Sequence, residues 1–393
     1  MVAAEDPQSA RSQALAFISQ NQIHKRFKLP ATADHGELSV TYADVGVTPG
    51  TDASDVDTPT LLYIPGQFST RYVSIYFHHI AAKIGVRVLV IDRPGMGDST
   101  PVPIEQRVSV WIETVRALTS HLSIKHIALA SHSAGTIYLF NTLFHCREVL
   151  HPQRPYAAAV APWIDPLHSR LPVMQLAQLL PKQAFSYWDK TSRFFVLNSA
   201  PMVVSSGAFL HKARKLLPGS NNEPPFADRN RRKIEEEYGL AADVHAEIEK
   251  CSLPKIFGEP VVGVNSETLI CLKKCSPEAW GKCWDYSKFV NEFAERERQR
   301  SLERGEEQSQ LGTSSESKGK LKIQAYFAES DLMIGKKGQT YFEECWDGKD
   351  KEFQELWDFD TATVKDTNHE SILSAVDVLE GIFQEVKASF QQG

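Results

Sequence analysis

No apolar run in this 393-residue chain reaches the roughly 18–20 residues that a helix needs to cross a bilayer. Cysteine is scarce: six in the whole chain are too few for a disulfide scaffold, so reduced thiols are expected. Cys271, Cys275 and Cys283 lie close together, but no second pair or nearby histidine completes a ligand spacing. Neither a zinc site nor any other metal or cofactor is therefore expected. Asn-x-Ser/Thr sequons are absent, and residues 1–10 carry Glu5 and Asp6 instead of the basic-then-apolar order of a secretory leader. These features make a cytoplasmic setting the expectation. An excess of basic residues is missing too: 43 Lys and Arg against 49 Asp and Glu give a net charge of −6. That balance argues against a general binder of nucleic acid or anionic membranes. No internal repeat is found.

What remains is globular: 42% hydrophobic and 23% charged residues supply enough apolar surface for a sizeable core. Residues 37–44 alternate polar and apolar side chains and read as a half-buried antiparallel strand. Four short, continuous apolar runs follow at 60–64, 86–91, 127–130 and 157–161, as strands of a parallel sheet covered on both faces would. Between them, residues 104–122 and 135–150 carry apolar side chains at three- and four-residue spacing, the mark of amphipathic helices. This alternation predicts right-handed βαβ crossovers and a doubly wound, mostly parallel sheet. It stops at Trp163 and resumes at Leu321 with strands over 321–328 and 356–364, a helix over 338–345 and a closing amphipathic helix over 371–383. The expected organisation is one α/β core from residues 1–162 and 320–393. Residues 163–319 would form a large, mostly helical cap inserted after the sixth strand. The tail of that block, 295–320, is dense in Glu, Arg, Ser, Gln and Gly and reads as a solvated helix end running into a disordered loop.

The strongest chemical signal is Ser131-His132-Ser133-Ala134-Gly135, placed where a buried strand ends and a helix begins. It matches a nucleophile elbow in which serine replaces the first glycine. Such a turn strains the backbone at the nucleophile, and the residues two before and two after must be small because strand and helix approach closely. It also sets the serine at a helix amino terminus, where the dipole and free N–H groups stabilise an oxyanion. A small-residue turn could match by chance; its position between strand and helix is what favours a functional role.

With these residues in view, the chain resembles the α/β-hydrolase superfamily. Asp92-Arg93-Pro94-Gly95-Met96-Gly97-Asp98-Ser99 looks like the family's D-x-x-G-x-G-x-S turn. Ile64-Pro65-Gly66-Gln67 resembles the loop that supplies an oxyanion-hole amide, with Pro65 in place of the usual histidine. The resemblance covers residues 37–163 and 321–383 and leaves the middle block unmatched. It implies the α/β-hydrolase fold and the chain order serine, acid, histidine. Ala328-Glu329-Ser330-Asp331 looks like the family's G-x-x-D, and His369 opens the segment after the last strand. The implied roles are Ser133 as nucleophile, His369 as general base and acid, Asp331 as orienting carboxylate, and the Gln67 and Ala134 amides as oxyanion donors. Asp165, after the sixth strand, and Glu329 stay open as rival acids.

Other residues read as structural. His132 is expected to pack and hydrogen-bond against the sheet, and Asp92 and Asp98 to shape their turn. Gly95-Met96-Gly97 lacks the third glycine and the downstream acid of a dinucleotide loop. His78 and His79, adjacent on a helix, face different ways and do not suit chelation. Trp163, Phe185, Tyr187, Trp188, Phe194 and Phe195 are expected to form the core of the cap, some of them lining an apolar pocket. Epoxide hydrolase and haloalkane dehalogenase chemistry is disfavoured, since those enzymes carry an aspartate where this chain has Ser133. The expected activity is a serine hydrolase cleaving an ester-like bond (ester, thioester or lactone) in a bulky, largely apolar small molecule. The chain's character is similar to that of fungal intracellular hydrolases of specialised metabolism. An acyltransferase or thioesterase-like releasing enzyme on the same triad, or a ligand-binding protein that keeps the fold, are the alternatives.

Overall fold

The computed structural model describes residues 6, 8–48, 57–187, 190, 225–256, 258–311, 319–348 and 352–391. Eight strands form one sheet: β1 (Lys25–Leu29), β2 (Leu38–Gly46), β3 (Thr60–Ile64), β4 (Arg87–Ile91), β5 (Ala128–His132), β6 (Tyr156–Val160), β7 (Leu321–Ser330) and β8 (Trp357–Asn368). Their spatial order is β1-β2-β4-β3-β5-β6-β7-β8. β2 runs antiparallel to both its neighbours, and the pairs from β4–β3 to β7–β8 are parallel. The apolar runs read from the sequence are the central strands: every residue of β3, β4, β5 and β6 is buried.

Alternation along those strands feeds two apolar layers. Leu62, Leu89, Leu129 and Ala157 face one layer with Trp111, Val115, Phe140 and Trp346. Their neighbours Leu61, Val88, Ala128 and Ala158 face the other, with Ile80, Leu379 and Phe383. Helices α2 (His78–Ile84) and the closing Val376–Phe390 lie in the second layer, while α3 (Arg107–His121), α4 (Gly135–His145) and Gly335–Asp347 lie in the first. This is the doubly wound arrangement expected from right-handed crossovers.

Two elements near the start went unread in the sequence, the helix α1 (Ala10–Ile18) and the edge strand β1. The block 163–319, where it is described, consists of helices joined by loops, and it does not stand apart from the sheet. Helix Ala242–Ile256 packs on α1, and helix Tyr286–Leu311 sends Phe289 and Phe293 into the first layer. There Phe289 stacks on Phe140 with ring centroids 5.0 Å apart. The stretch read as a solvated helix end running into a disordered loop is helical as far as Leu311; residues 312–318, where the loop was expected, lie outside the described residues. Of the six aromatics expected in a cap core, Trp163 and Phe185 are buried, whereas Tyr187 is 66% exposed. Trp188, Phe194 and Phe195 lie outside the described residues. No described helix is long and apolar enough to cross a membrane.

Candidate active site

β5 ends at His132, and the next residue, Ser133, turns the chain into α4 with a backbone φ of +49°. A left-handed conformation is costly for a residue with a side chain and persists where the surroundings impose it. They do so here through close packing. A Cβ on Gly135 would stand 2.3 Å from the Ile64 carbonyl oxygen and 2.8 Å from that of Pro65. A Cβ on Gly66 would stand 2.8 Å from His132 Nδ1 and 3.3 Å from Ser133 Cβ. Both positions therefore require glycine, and the end of β3 is pressed against the elbow. The Ser133 amide donates to the Val160 carbonyl at 3.0 Å, and the Ser133 carbonyl accepts from the Trp163 amide at 3.2 Å, which ties the turn to the end of β6.

The turn presents Ser133 Oγ to His369 Nε2 at 2.8 Å, and His369 Nδ1 lies 2.8 Å from Asp331 Oδ2. A carboxylate only accepts, so the ring proton sits on Nδ1 and Nε2 is left to accept from the serine hydroxyl. Asp331 is fixed in its turn: its Oδ1 accepts from the Met333 and Ile334 amides, both at 2.8 Å. Burial pushes the Asp331 carboxyl up, but the hydrogen bond and charge of His369, with those two amides, hold it below the usual range. All three side chains are largely buried, Ser133 and His369 at 5% exposure each. Three segments that follow strand ends thus converge: β5 brings the serine, β7 the acid and β8 the histidine.

The rival acids lie elsewhere. The Asp165 carboxylate pairs with Lys273 Nζ at 2.7 Å and caps the short helix Pro166–Ser169 by accepting from the Leu167 amide. Glu329 Oε2 accepts from the Asp366 amide at 2.9 Å. Neither touches His369. The amides of Gln67 and Ala134 flank the elbow, and among the described residues neither meets an acceptor.

Of the residues read as structural, His132 donates Nε2–H to the His369 carbonyl at 2.9 Å, and its ring centroid lies 5.2 Å from that of His369. Burial, with His369 alongside, pushes the His132 pKa down to about 4, so it is neutral at ordinary pH. Asp92 accepts from Thr41 Oγ1 at 2.7 Å and from the Arg71 amide at 2.5 Å, as a turn-forming carboxylate would. Asp98 pairs with Arg26 near the surface. His78 Nδ1 accepts from the Gly46 amide at 3.2 Å.

The reading of the sequence missed the neighbourhood of Arg93. This side chain sits in the turn after β4 and is fully buried with Glu267, Arg107 and Tyr138. One signal was available: a lone acid, Glu267, stands in the otherwise small or apolar helix Gly263–Cys271.

No family model matches the chain, and no curated protein matches it in sequence. Solved structures do share its fold. The epoxide hydrolase CorEH is 12% identical with a TM-score of 0.51, over 94% of this chain and 99% of that one. The epoxide hydrolase VrEH1 from Vigna radiata is 14% identical with a TM-score of 0.48, over 94% and 98% of the two chains. A thermophilic esterase from Thermogutta terrifontis is 13% identical with a TM-score of 0.47, over 93% and 100%. At such identities the likeness is one of fold, and the chain has the α/β-hydrolase fold.

Proposed function

We propose that this α/β-hydrolase-fold protein is a serine hydrolase that cleaves an ester, thioester or lactone bond through an acyl-serine intermediate. The observation that carries the reading is the hydrogen-bonded line Ser133–His369–Asp331, with the serine held at φ +49° on a strand-to-helix elbow. His369 Nε2 takes the hydroxyl proton as Ser133 Oγ attacks the acyl carbon, and Asp331 stabilises the imidazolium that forms. The amides of Gln67 and Ala134 receive the negative charge that develops on the carbonyl oxygen. As the intermediate collapses, the same proton passes from His369 to the leaving group. A water deprotonated by His369 then releases the acid and restores the hydroxyl.

CorEH is an epoxide hydrolase, but the likeness to it does not extend to chemistry. The elbow of this chain carries a hydroxyl where a carboxylate would be needed to open an epoxide by direct attack. We read the substrate as a bulky, largely apolar molecule, a reading that rests on nothing more specific than the length of block 163–319.

The test is covalent labelling with a fluorophosphonate, followed by hydrolysis of acyl esters of graded size. Wild-type protein should label on Ser133 and hydrolyse some of the series. Ser133→Ala should abolish both while moving stability by no more than about 1 kcal/mol, as a small local change at one site does. Undiminished labelling of that variant would place the nucleophile elsewhere and refute the mechanism.

A further inference from the structure

The loop that carries the Gln67 amide is gripped from behind by a buried guanidinium. Arg93 is 1% exposed and donates to the Pro65 carbonyl through Nη1 and to the Gly66 carbonyl through Nη2, the latter at 2.8 Å. It also donates to both oxygens of Glu267, from Nε at 2.5 Å and from Nη2 at 2.7 Å. Glu267 also accepts from Arg107 Nη2 at 2.7 Å. The helix that bears it is seated closely: the Gly263 amide donates to the Gly95 carbonyl at 2.8 Å, and a Cβ on Gly263 would stand 2.6 Å from the Pro94 oxygen. Thr268 of the same helix accepts from the Gln67 side chain.

Peptide geometry turns this grip into a statement about the oxyanion donor. In a planar trans peptide the C=O and the next N–H point to opposite sides, and no cis peptide occurs among the described residues. With the Gly66 oxygen drawn to Arg93, the Gln67 N–H must point the other way. A cation on the oxygen also polarises that peptide and strengthens its N–H as a donor. The loop lies against the nucleophile, within 3.3 Å of Ser133 Cβ as measured from a Cβ built on Gly66.

We propose that Arg93, held by Glu267, is a positioning residue for the oxyanion loop. The docked helix Gly263–Cys271 thereby governs whether the Gln67 amide stands ready. Arg93 touches no reacting atom; it acts through the Gly66–Gln67 peptide. The inference rests on the serine-hydrolase reading above and adds to it a dependence of catalysis on the inserted block.

Arg93→Met is the informative variant, because it leaves Glu267 and Arg107 as a balanced buried pair instead of stranding a charge. With an ester that wild type hydrolyses, its kcat should fall about 100-fold while KM stays within about threefold, the pattern of an interaction made only in the transition state. Arg93→Lys keeps the charge without the fork and should lose about tenfold in kcat by the same reasoning. Gln67→Pro deletes the amide proton; on that background Arg93→Met should cost less than about threefold more. If Arg93→Met proves too unstable to assay, Arg93→Lys in the same cycle carries the test. Unchanged kcat, a loss confined to KM, or full additivity with Gln67→Pro would each overturn the proposal and leave the triad standing. A wild-type protein that neither labels nor hydrolyses any ester would remove both readings.

Discussion

At the scale of single residues, the orienting acid is the sharpest case. Asp331 and Asp165 both follow strand ends and both have buried carboxylates, so neither chain order nor burial separates them. Their partners do: His369 for Asp331, Lys273 for Asp165. Asp331→Asn should therefore lower kcat by about two to four orders of magnitude, since an amide at that place favours the wrong imidazole tautomer. Asp165→Asn should leave kcat within about threefold, because the lost ion pair lies away from His369. Initial rates on one ester decide it, and a crippled Asp165→Asn beside an active Asp331→Asn would reverse the assignment. Ser133 and His369 were legible because each sits in a local pattern, an elbow and the segment after the last strand. The acid was left open because Lys273 reaches Asp165 from the middle of the inserted block, a contact no local pattern announces. Arg93 was hidden for the same reason, its meaning residing in Glu267 far along the chain.

At the scale of elements, the elbow is a packing problem solved by two glycines. Strand β5 and helix α4 can turn sharply about Ser133 only if Gly135 lets the helix start against the carbonyls that end β3. Gly135→Ala would press a methyl group to 2.3 Å from the Ile64 oxygen, and a backbone carbonyl has little room to retreat. Overpacking of this kind costs about 1–3 kcal/mol. Urea unfolding should show that loss, together with slower fluorophosphonate labelling as the Pro65–Gln67 loop shifts. Unchanged stability would mean that the loop yields freely, which would also weaken the case that it is held by Arg93. The strands around this elbow were readable because burial on both faces leaves unbroken apolar runs. Edge strand β1, Lys-Arg-Phe-Lys-Leu, was not, since only Phe27 and Leu29 are buried and three cations mask the pattern. The helix Tyr286–Leu311 was legible in part. Its charged later turns read as a solvated helix end, while nothing local announced that its first turns bury Phe289 and Phe293 beside Phe140 and Trp346.

At the scale of the whole molecule, histidine burial sets how the fold meets acid. Burial lowers the pKa of His78, His79, His132, His145, His151, His168 and His245, reaching about 4 for His79 and His132. His35 alone among the shifted histidines is raised, by the Gly36 carbonyl and then by Glu113. Where the folded pKa is lowered, the unfolded chain takes up protons first as pH falls below about 6.5, and stability declines with it. His35 acts in the opposite direction, gaining stability as pH falls, but it is one group against seven. Asp331, with its carboxyl held low, adds its loss as pH falls through the ordinary carboxylate range and below it. A buried histidine taken from 6.5 to about 4 is worth on the order of 3 kcal/mol at full effect; the half-exposed ones contribute less because solvent screens them. The unfolding midpoint should therefore fall steadily between pH 7 and pH 4.5, before most carboxylates titrate. His132 carries a second consequence. Its ring lies 5.2 Å from that of His369, so a proton forced onto it opposes the imidazolium of the proposed mechanism. His132→Gln, which keeps a donor for the His369 carbonyl without a titrating ring, should flatten part of the stability loss in that range. A midpoint independent of pH from 7 to 4.5 in the wild type, or an equal slope in the variant, would show that these histidines ionise without straining the fold.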